Sequence, residues 1–291
     1  MLSAIVPIKS STEDLTYFED LILNLSDNAV ELIVVEDLEC ANRNQSLKRI
    51  LLTGPVNQIQ YLSGHFGSPG IARNAGLKIA KGDWITFWDC DDQPRVTQIL
   101  NAIKNTANNT EILIGQFLVK NQESGEVNQE IGKYLAIDDI AINPGLWRMV
   151  FQKKILSRLQ FSEFRMGEDQ LFISHLDISN KIVQFVPAIF YEYTIGLKHQ
   201  LTRQPLNLKF LLEVSNAIYE KAKSATDLST INFDCILITR QQITLLKRGN
   251  FYLKIQAIKF LIKFAFNFKL IIPFFKSILK IISRAQRCRM K

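Results

Sequence analysis

Cysteine is scarce in this 291-residue chain, with four residues at 40, 90, 235 and 288. None forms a CxxC pair, so the spacing gives neither a disulfide framework nor a zinc site, and free thiols in a reducing compartment are expected. Histidine is scarcer still: His65, His175 and His199. His175 falls among apolar residues of a predicted helix and reads as structural. The opening MLSAIVPIKS lacks a basic stretch followed by a long apolar segment. No signal peptide is therefore expected, and the chain reads as a strand from its start. No internal repeat and no low-complexity linker interrupts it. Acidic residues vanish from Leu245 onward, where twelve Lys and Arg stand with no Asp or Glu. The first 244 residues then hold 23 basic and 28 acidic side chains, a net −5 inside an overall +7. An acidic body with a basic tail implies a partner for the tail. The longest uncharged stretch in that tail, Leu270 to Phe275, falls far short of the roughly 20 residues that span a bilayer.

The converse shortage occurs at WDCDD, Trp88 to Asp92, where three carboxylates stand within four residues and no Lys or Arg stands among them. Two unit charges about 4 Å apart repel by ~4 kcal/mol at an effective dielectric near 20. Such a cluster persists only where water solvates it or a cation occupies it.

What is present is an ordinary globular composition, 47% hydrophobic and 22% charged, long enough for one large α/β domain or two smaller ones. SAIVPI, ELIVVED, IQYLS and DWITFWD read as apolar, β-branched strands. TEDLTYFEDLILNL, with Thr12 as its cap, QSLKRILLT and the segment after GHFGSPG read as helices. The alternation predicts a mainly parallel sheet covered by helices, whose ligands bind at the carboxyl ends of strands. Asp37 and Asp89 to Asp92 both sit at predicted strand ends. EILIGQFLVKN, LWRMVFQKKIL and IVQFVPAIFYEYTI are further strands. RMGEDQLFISHLDIS becomes a helix near Glu168, and two helices follow a soft boundary at Arg203 to Pro205.

GSPGIARNAGLKIAKGDWITFWDCDD resembles the signature of family 2 glycosyltransferases with the GT-A fold. That family shows Ala-Arg-Asn-x-Gly-Leu, then Ala-x-Gly-Asp/Glu, an aromatic strand and Asp-x-Asp-Asp. Here these are Ala72, Arg73, Asn74, Gly76, Leu77, Ala80, Gly82, Asp83 and Asp89 to Asp92. SAIVPI, ELIVVED, LWRMVFQKKIL and GEDQLF resemble the family's other motifs in the same order across about the first 200 residues. The resemblance implies a GT-A, Rossmann-like mixed sheet flanked by helices, with residues 1–205 as the nucleotide-sugar and acceptor domain. Residues 206–246 would form a helical extension and 247–291 a membrane-associating tail. It also implies inverting transfer of a sugar from a nucleotide diphosphate donor with Mg2+ or Mn2+. The donor side falls to Pro7, Asp37, Arg73, Asp89, Trp147 and Arg148. Asp91 or Asp92 takes the metal, with His199 as a further ligand. Asp169, beside Glu168, is the general base toward the acceptor hydroxyl. Two departures stand out. EDLE replaces the family's Asp-Asp-Gly-Ser, and Pro7-Ile8-Lys9-Ser10 replaces Pro-x-Tyr-Asn. Uridine is thus a family default rather than a reading of these residues.

In the tail, Lys276, Lys280, Arg284, Arg287 and Lys291 recur every three or four positions opposite Phe274, Phe275, Ile278 and Leu279. That is the composition of a helix lying in a membrane interface, with Pro273 expected to kink or divide it. Packing on the body or homodimerisation is the competing use. Nucleic acid is not expected, since no recognition module accompanies the charge. The expectation is a cytoplasmic enzyme, peripheral on the inner face of the cell membrane, that acts on a glycan or glycolipid acceptor. The alternatives are a catalytically silent nucleotide-sugar adaptor and a nucleotidyltransferase.

Overall fold

The computed structural model describes residues 1–25, 30–39, 44–53, 59–128, 136–197 and 205–289. The chain divides into two compact units. The first comprises Met1–Lys133, Gly145–Glu163 and Ile182–Lys198, and the second Tyr134–Pro144, Phe164–Lys181 and His199–Lys291.

The first unit is built on nine strands: β1 (Leu2–Lys9), β2 (Val30–Asp37), β3 (Ile59–Gly64), β4 (Trp84–Phe87), β5 (Gln93–Pro94), β6 (Ile112–Asn121), β7 (Val127–Asn128), β8 (Met149–Gln152) and β9 (Val183–Ile195). Their order is β3-β2-β1-β4-β8-β6-β9-β5, with β7 on β6. The first four strands are mutually parallel, β8 runs against both β4 and β6, and β9 returns parallel to β6. This is the expected mixed sheet. Every residue of β2 is buried, as a parallel strand covered on both faces requires. Its two glutamates are stable there because donors surround them. Glu31 accepts from Ser3 Oγ at 2.5 Å, from the Lys81 N–H at 2.7 Å and from Gln60. Glu36 accepts from the Asn44 N–H at 2.6 Å and from the Tyr61 hydroxyl. Both carboxylates tie neighbouring segments to β2.

Four helices belong to this unit: α1 (Thr16–Asn24), α2 (Gln45–Thr53), α3 (Pro69–Ile79) and α4 (Val96–Lys104). Thr12 does not cap α1. Its N–H closes a turn on the Lys9 carbonyl, and Asp14 accepts the Thr16 N–H instead, at 3.0 Å. Burial of Phe18, Leu21 and Ile22 fixes where that helix starts. α3 opens on Ser68, whose Oγ accepts the Ile71 N–H, and Pro69 occupies its first turn, where a missing N–H costs nothing. Gly76 lets α3 press on the sheet. A Cβ there would lie 2.5 Å from Ile5 Cγ2 and 3.3 Å from Val35 Cγ2. Both neighbours are fully buried and have no room to retreat. Gly76→Ala gains about 1 kcal/mol of helix propensity against roughly 1–3 kcal/mol of overpacking. The balance predicts a lower urea midpoint; an unchanged or higher one contradicts this packing.

The second unit is helical: α5 (Ile137–Ile142), α6 (Glu168–Leu176), α7 (Phe210–Ser224), α8 (Leu228–Arg248), α9 (Phe251–Ala265) and α10 (Ile271–Arg289). α8 is its axis, and buried residues recur along its whole length. Asp227 caps α8 through the Thr230 N–H at 2.8 Å, and Asn250 caps α9 through the Leu253 N–H at 2.9 Å. Leu208, Leu211, Leu245, Leu253 and Ala257 form one core cluster. Pro273 does not divide α10. It lies in the first turn, and the chain instead breaks between Ala265 and Ile271. The helix starts late enough that the proline breaks no ladder. Among the described residues Cys90 and Cys235 are free thiols, and no helix is long and apolar enough to cross a membrane.

Asp234 is fully buried in this unit, held by Ser174 Oγ at 2.8 Å and Lys221 Nζ at 2.8 Å. Burial pushes its carboxyl up to about 6 even against the pull of Lys221. The raised value means that protonation favours the folded state. The contribution is full below the ordinary 3.8 and is lost as pH climbs past about 6. About two units correspond to roughly 3 kcal/mol. Asp234→Asn cannot ionise. The stability of the wild type relative to this variant should therefore fall by about 2.5 kcal/mol between pH 4 and pH 8 in urea titrations. Parallel pH curves would contradict the buried-acid account.

Candidate active site

The parallel strands β1 to β4 end at one edge of the sheet, and four candidate segments meet there. Lys9 of β1 pairs in register with Asp37 of β2, and Asp37 with Gly64 of β3. The chain then leaves β4 at Trp88. β2 and β4 flank β1, so their axes lie about 10 Å apart across two inter-strand spacings, with Phe87 level with Ile5 and Asp37 level with Lys9. Asp37 is buried, and its Oδ1 accepts the N–H groups of Phe66 at 2.7 Å and Gly67 at 3.0 Å. Gly67 takes φ +73°, a left-handed turn that glycine enters without strain. Asp37 therefore shapes the glycine-rich loop that leads into α3. Pro7, half-buried on β1, is paired with Val35.

The acidic segment is a loop rather than the end of a strand, so alternation does not set where its carboxylates point. β4 stops at Phe87. The Trp88 N–H still reaches the Ile5 carbonyl, but the Asp89 N–H is taken by the Tyr191 hydroxyl at 2.9 Å. Each flanking aspartate is then committed. Asp89 Oδ1 accepts from the buried Arg73 guanidinium at 2.8 Å. Asp92 is only 1% exposed, and its Oδ1 accepts the Thr194 N–H at 2.7 Å. Burial, with the charges of Asp91 and Asp89 adding, pushes the Asp92 carboxyl well above its ordinary range. Burial raises the Tyr191 hydroxyl as well, with Asp92 next in weight. Asp91 stands between them, half-exposed.

Among the described residues no three His, Cys, Asp or Glu side chains converge into a metal cage, and His199 lies outside the described residues. The supply is two half-exposed carboxylates, Asp89 and Asp91, on one loop. That fits a hard divalent cation, which takes one or two protein carboxylates and completes its shell with water and phosphate oxygens.

Behind the loop lies an aromatic stack. Trp147, in the turn Leu146–Arg148 before β8, stacks on Tyr191 at 4.6 Å and Tyr193 at 5.2 Å, with Phe117 edge-on at 4.9 Å. Arg148 is 1% exposed, and its guanidinium lies 5.0 Å over Phe117. It is thus packed in the core beneath Trp147. In the helical unit, Glu168 and Asp169 open α6 after Gly167, which holds φ +84°. Glu168 is buried; Asp169 is half-buried, and its Oδ1 accepts the Gln170 N–H at 2.8 Å. Arg240 and Gln241 both donate to Gln170 Oε1, which ties the start of α6 to α8.

Sequence reasoning passed over Tyr191 and Thr194, which hold the acidic loop from β9. The available signal was YEYT, whose alternation sets Tyr191 and Tyr193 on one face of a strand.

A family model described as glycosyl transferase family 2 matches residues 3–172, a span that runs through Glu168 and Asp169. The poly(ribitol-phosphate) beta-N-acetylglucosaminyltransferase TarP of Staphylococcus aureus is 26% identical over 208 residues, 67% of this chain and 62% of TarP. The glycosyltransferase GlyG of Streptococcus pneumoniae is 20% identical over 213 residues, 66% of this chain and 70% of GlyG. Among solved structures, S. aureus TarS in complex with UDP-GlcNAc superposes with TM-score 0.68 at 17% identity, covering 89% of this chain and 78% of that one. The mannosyltransferase PcManGT of Pyrobaculum calidifontis, in complex with GDP-Man and Mn2+, superposes with TM-score 0.58 at 10% identity, covering 97% and 86%.

Proposed function

We propose, from the premise that this chain belongs to glycosyl transferase family 2, that it moves a sugar with inversion from a nucleotide diphosphate sugar to a saccharide or lipid-linked saccharide of the cell surface. One observation carries the reading. At the carboxyl edge of the sheet one short loop presents two half-exposed carboxylates, Asp89 and Asp91, beside a buried third, Asp92, whose Oδ1 accepts the Thr194 N–H.

On this reading Asp91 holds the metal, Asp92 shapes the loop, and Arg73 keeps Asp89 oriented toward the donor. A Mg2+ or Mn2+ bound there would offset the charge that the diphosphate gathers as the glycosidic bond breaks. Asp37 has one carboxylate oxygen beyond the one that holds the Phe66–Gly67 loop, and that oxygen would accept the base N–H. A nucleoside held at Asp37 would extend its diphosphate across β1 toward Asp91, since β2 and β4 flank that strand. Trp147, stacked and half-exposed, offers a flat apolar face to a sugar ring. Asp169 is the base that takes the proton of the attacking hydroxyl, and one base opposite the leaving group gives inversion. Uridine is the first choice of base because the TarS complex holds UDP-GlcNAc. TarP is named for poly(ribitol-phosphate), which supports a cell-surface polymer as the carrier of the acceptor here. The basic C-terminal helices keep the enzyme on the inner face of the membrane, where a lipid-linked acceptor is presented.

The anomeric configuration of the product tests the mechanism. Proton NMR should show a β-linked sugar formed from an α-linked donor; a retained α linkage contradicts the single-base reading.

A further inference from the structure

The last two helices each carry two faces. One face is already packed. Phe260 and Phe264 of α9 meet Tyr219 of α7 at 5.7 and 5.8 Å, Phe274 of α10 meets Phe264 at 4.7 Å, and Ser277 bonds Thr239 of α8 at 2.6 Å. Lys280 of α10 pairs with Asp138 of α5 at 2.6 Å. The opposite faces are apolar and exposed. On α9 the exposed row is Phe251, Ile258 and Ile262, followed by Phe266 just past its end. At the start of α10 and along it the row is Phe268, Ile272, Phe275, Leu279 and Ile282, spaced four, three, four and three, with Phe268 97% exposed. Exposed lysines at 254, 259 and 276 flank these rows, and no acid occurs from Leu245 onward.

We infer that α9 and α10 form a preformed, two-helix docking face for an anionic phospholipid bilayer, held in shape by the helical unit before any lipid is met. The inference rests on the peripheral-membrane reading above and goes beyond it. The sequence suggested a helix lying in a membrane interface, with packing on the body as the competing use; here the helices are packed on α7 and α8 and still present an exposed apolar face. Rows of Phe and Ile at helical spacing beside lysines match the depth and charge of a headgroup boundary. A second copy of the chain is the poorer occupant. Two such faces would bring like charges together with no acid on either side to relieve them. Nucleic acid would leave the apolar rows facing a polar backbone.

The test is sedimentation of the full chain with vesicles of phosphatidylglycerol and phosphatidylcholine, against phosphatidylcholine alone, with circular dichroism in parallel. The face predicts binding to the anionic vesicles with unchanged helical ellipticity. Half-molar salt should weaken it, because screening then reaches only a few ångströms. Phe268→Ser combined with Leu279→Ser should weaken it at least tenfold and leave the fold intact, both side chains being exposed. Binding accompanied by a rise in helicity overturns the preformed face and leaves the peripheral reading standing. Failure to bind any vesicle overturns both. Dimers in solution that the same double variant dissolves would make the occupant a second copy and overturn the inference.

Discussion

Asp91→Asn should remove the metal-dependent part of donor affinity and leave the fold untouched. Disturbing only the partners of a metal ligand typically costs 10–100-fold in metal affinity. Loss of the ligand itself should cost at least about 100-fold, measured as calorimetric affinity for a nucleotide diphosphate sugar with and without Mn2+. Asp92→Asn is the informative contrast. Its side chain is buried, and its Oδ1 accepts the Thr194 N–H. An amide keeps that acceptor, so the variant should retain most of the metal response. Equal losses at both positions, or none at Asp91, would refute the division of roles in the loop.

Asp169→Asn should do the reverse: keep donor affinity and lose turnover. A positioned carboxylate that takes the proton of an attacking hydroxyl contributes typically 10²–10⁴-fold, and kcat should fall by about that much. Local structure should survive, because an asparagine Oδ1 can still accept the Gln170 N–H that Asp169 holds at 2.8 Å. Glu168→Gln separates the two acids: if it rather than Asp169→Asn abolishes transfer, the assignment moves one residue. Retained turnover in both removes this pair from the chemistry.

Elements with strong apolar patterns were legible before any coordinates. β1, β2, β3, β6 and β9 and helices α3, α6, α7 and α8 fall where their runs and periods set them. Strand–helix alternation pointed to a mainly parallel sheet, and the resemblance to the GT-A family implied the mixed one. Less legible were features decided by partners distant in sequence. DWITFWD reads as strand to its last aspartate, yet Tyr191, about a hundred residues later, takes the Asp89 N–H and ends it at Phe87. The same long reach separates Asp91 from Asp92: Asp92 is buried on the Thr194 N–H, about a hundred residues later, whereas Asp91 is half-exposed. The units were hidden because residues 134–144 and 164–181 pack with helices far along the chain. The tail looked like one amphipathic segment. Its buried half, Leu253, Ala257, Phe260 and Phe264, is plain only once α7 and α8 are there to receive it.

The most direct measurement is release of nucleoside diphosphate from a panel of nucleotide sugars by the intact chain, with an extracted membrane glycan as acceptor. At least one donor should be turned over, EDTA should stop the release, and added Mn2+ should restore it. Release that EDTA leaves untouched, or no turnover with any donor despite metal-dependent binding, would contradict the claim that the loop around Asp91 serves sugar transfer.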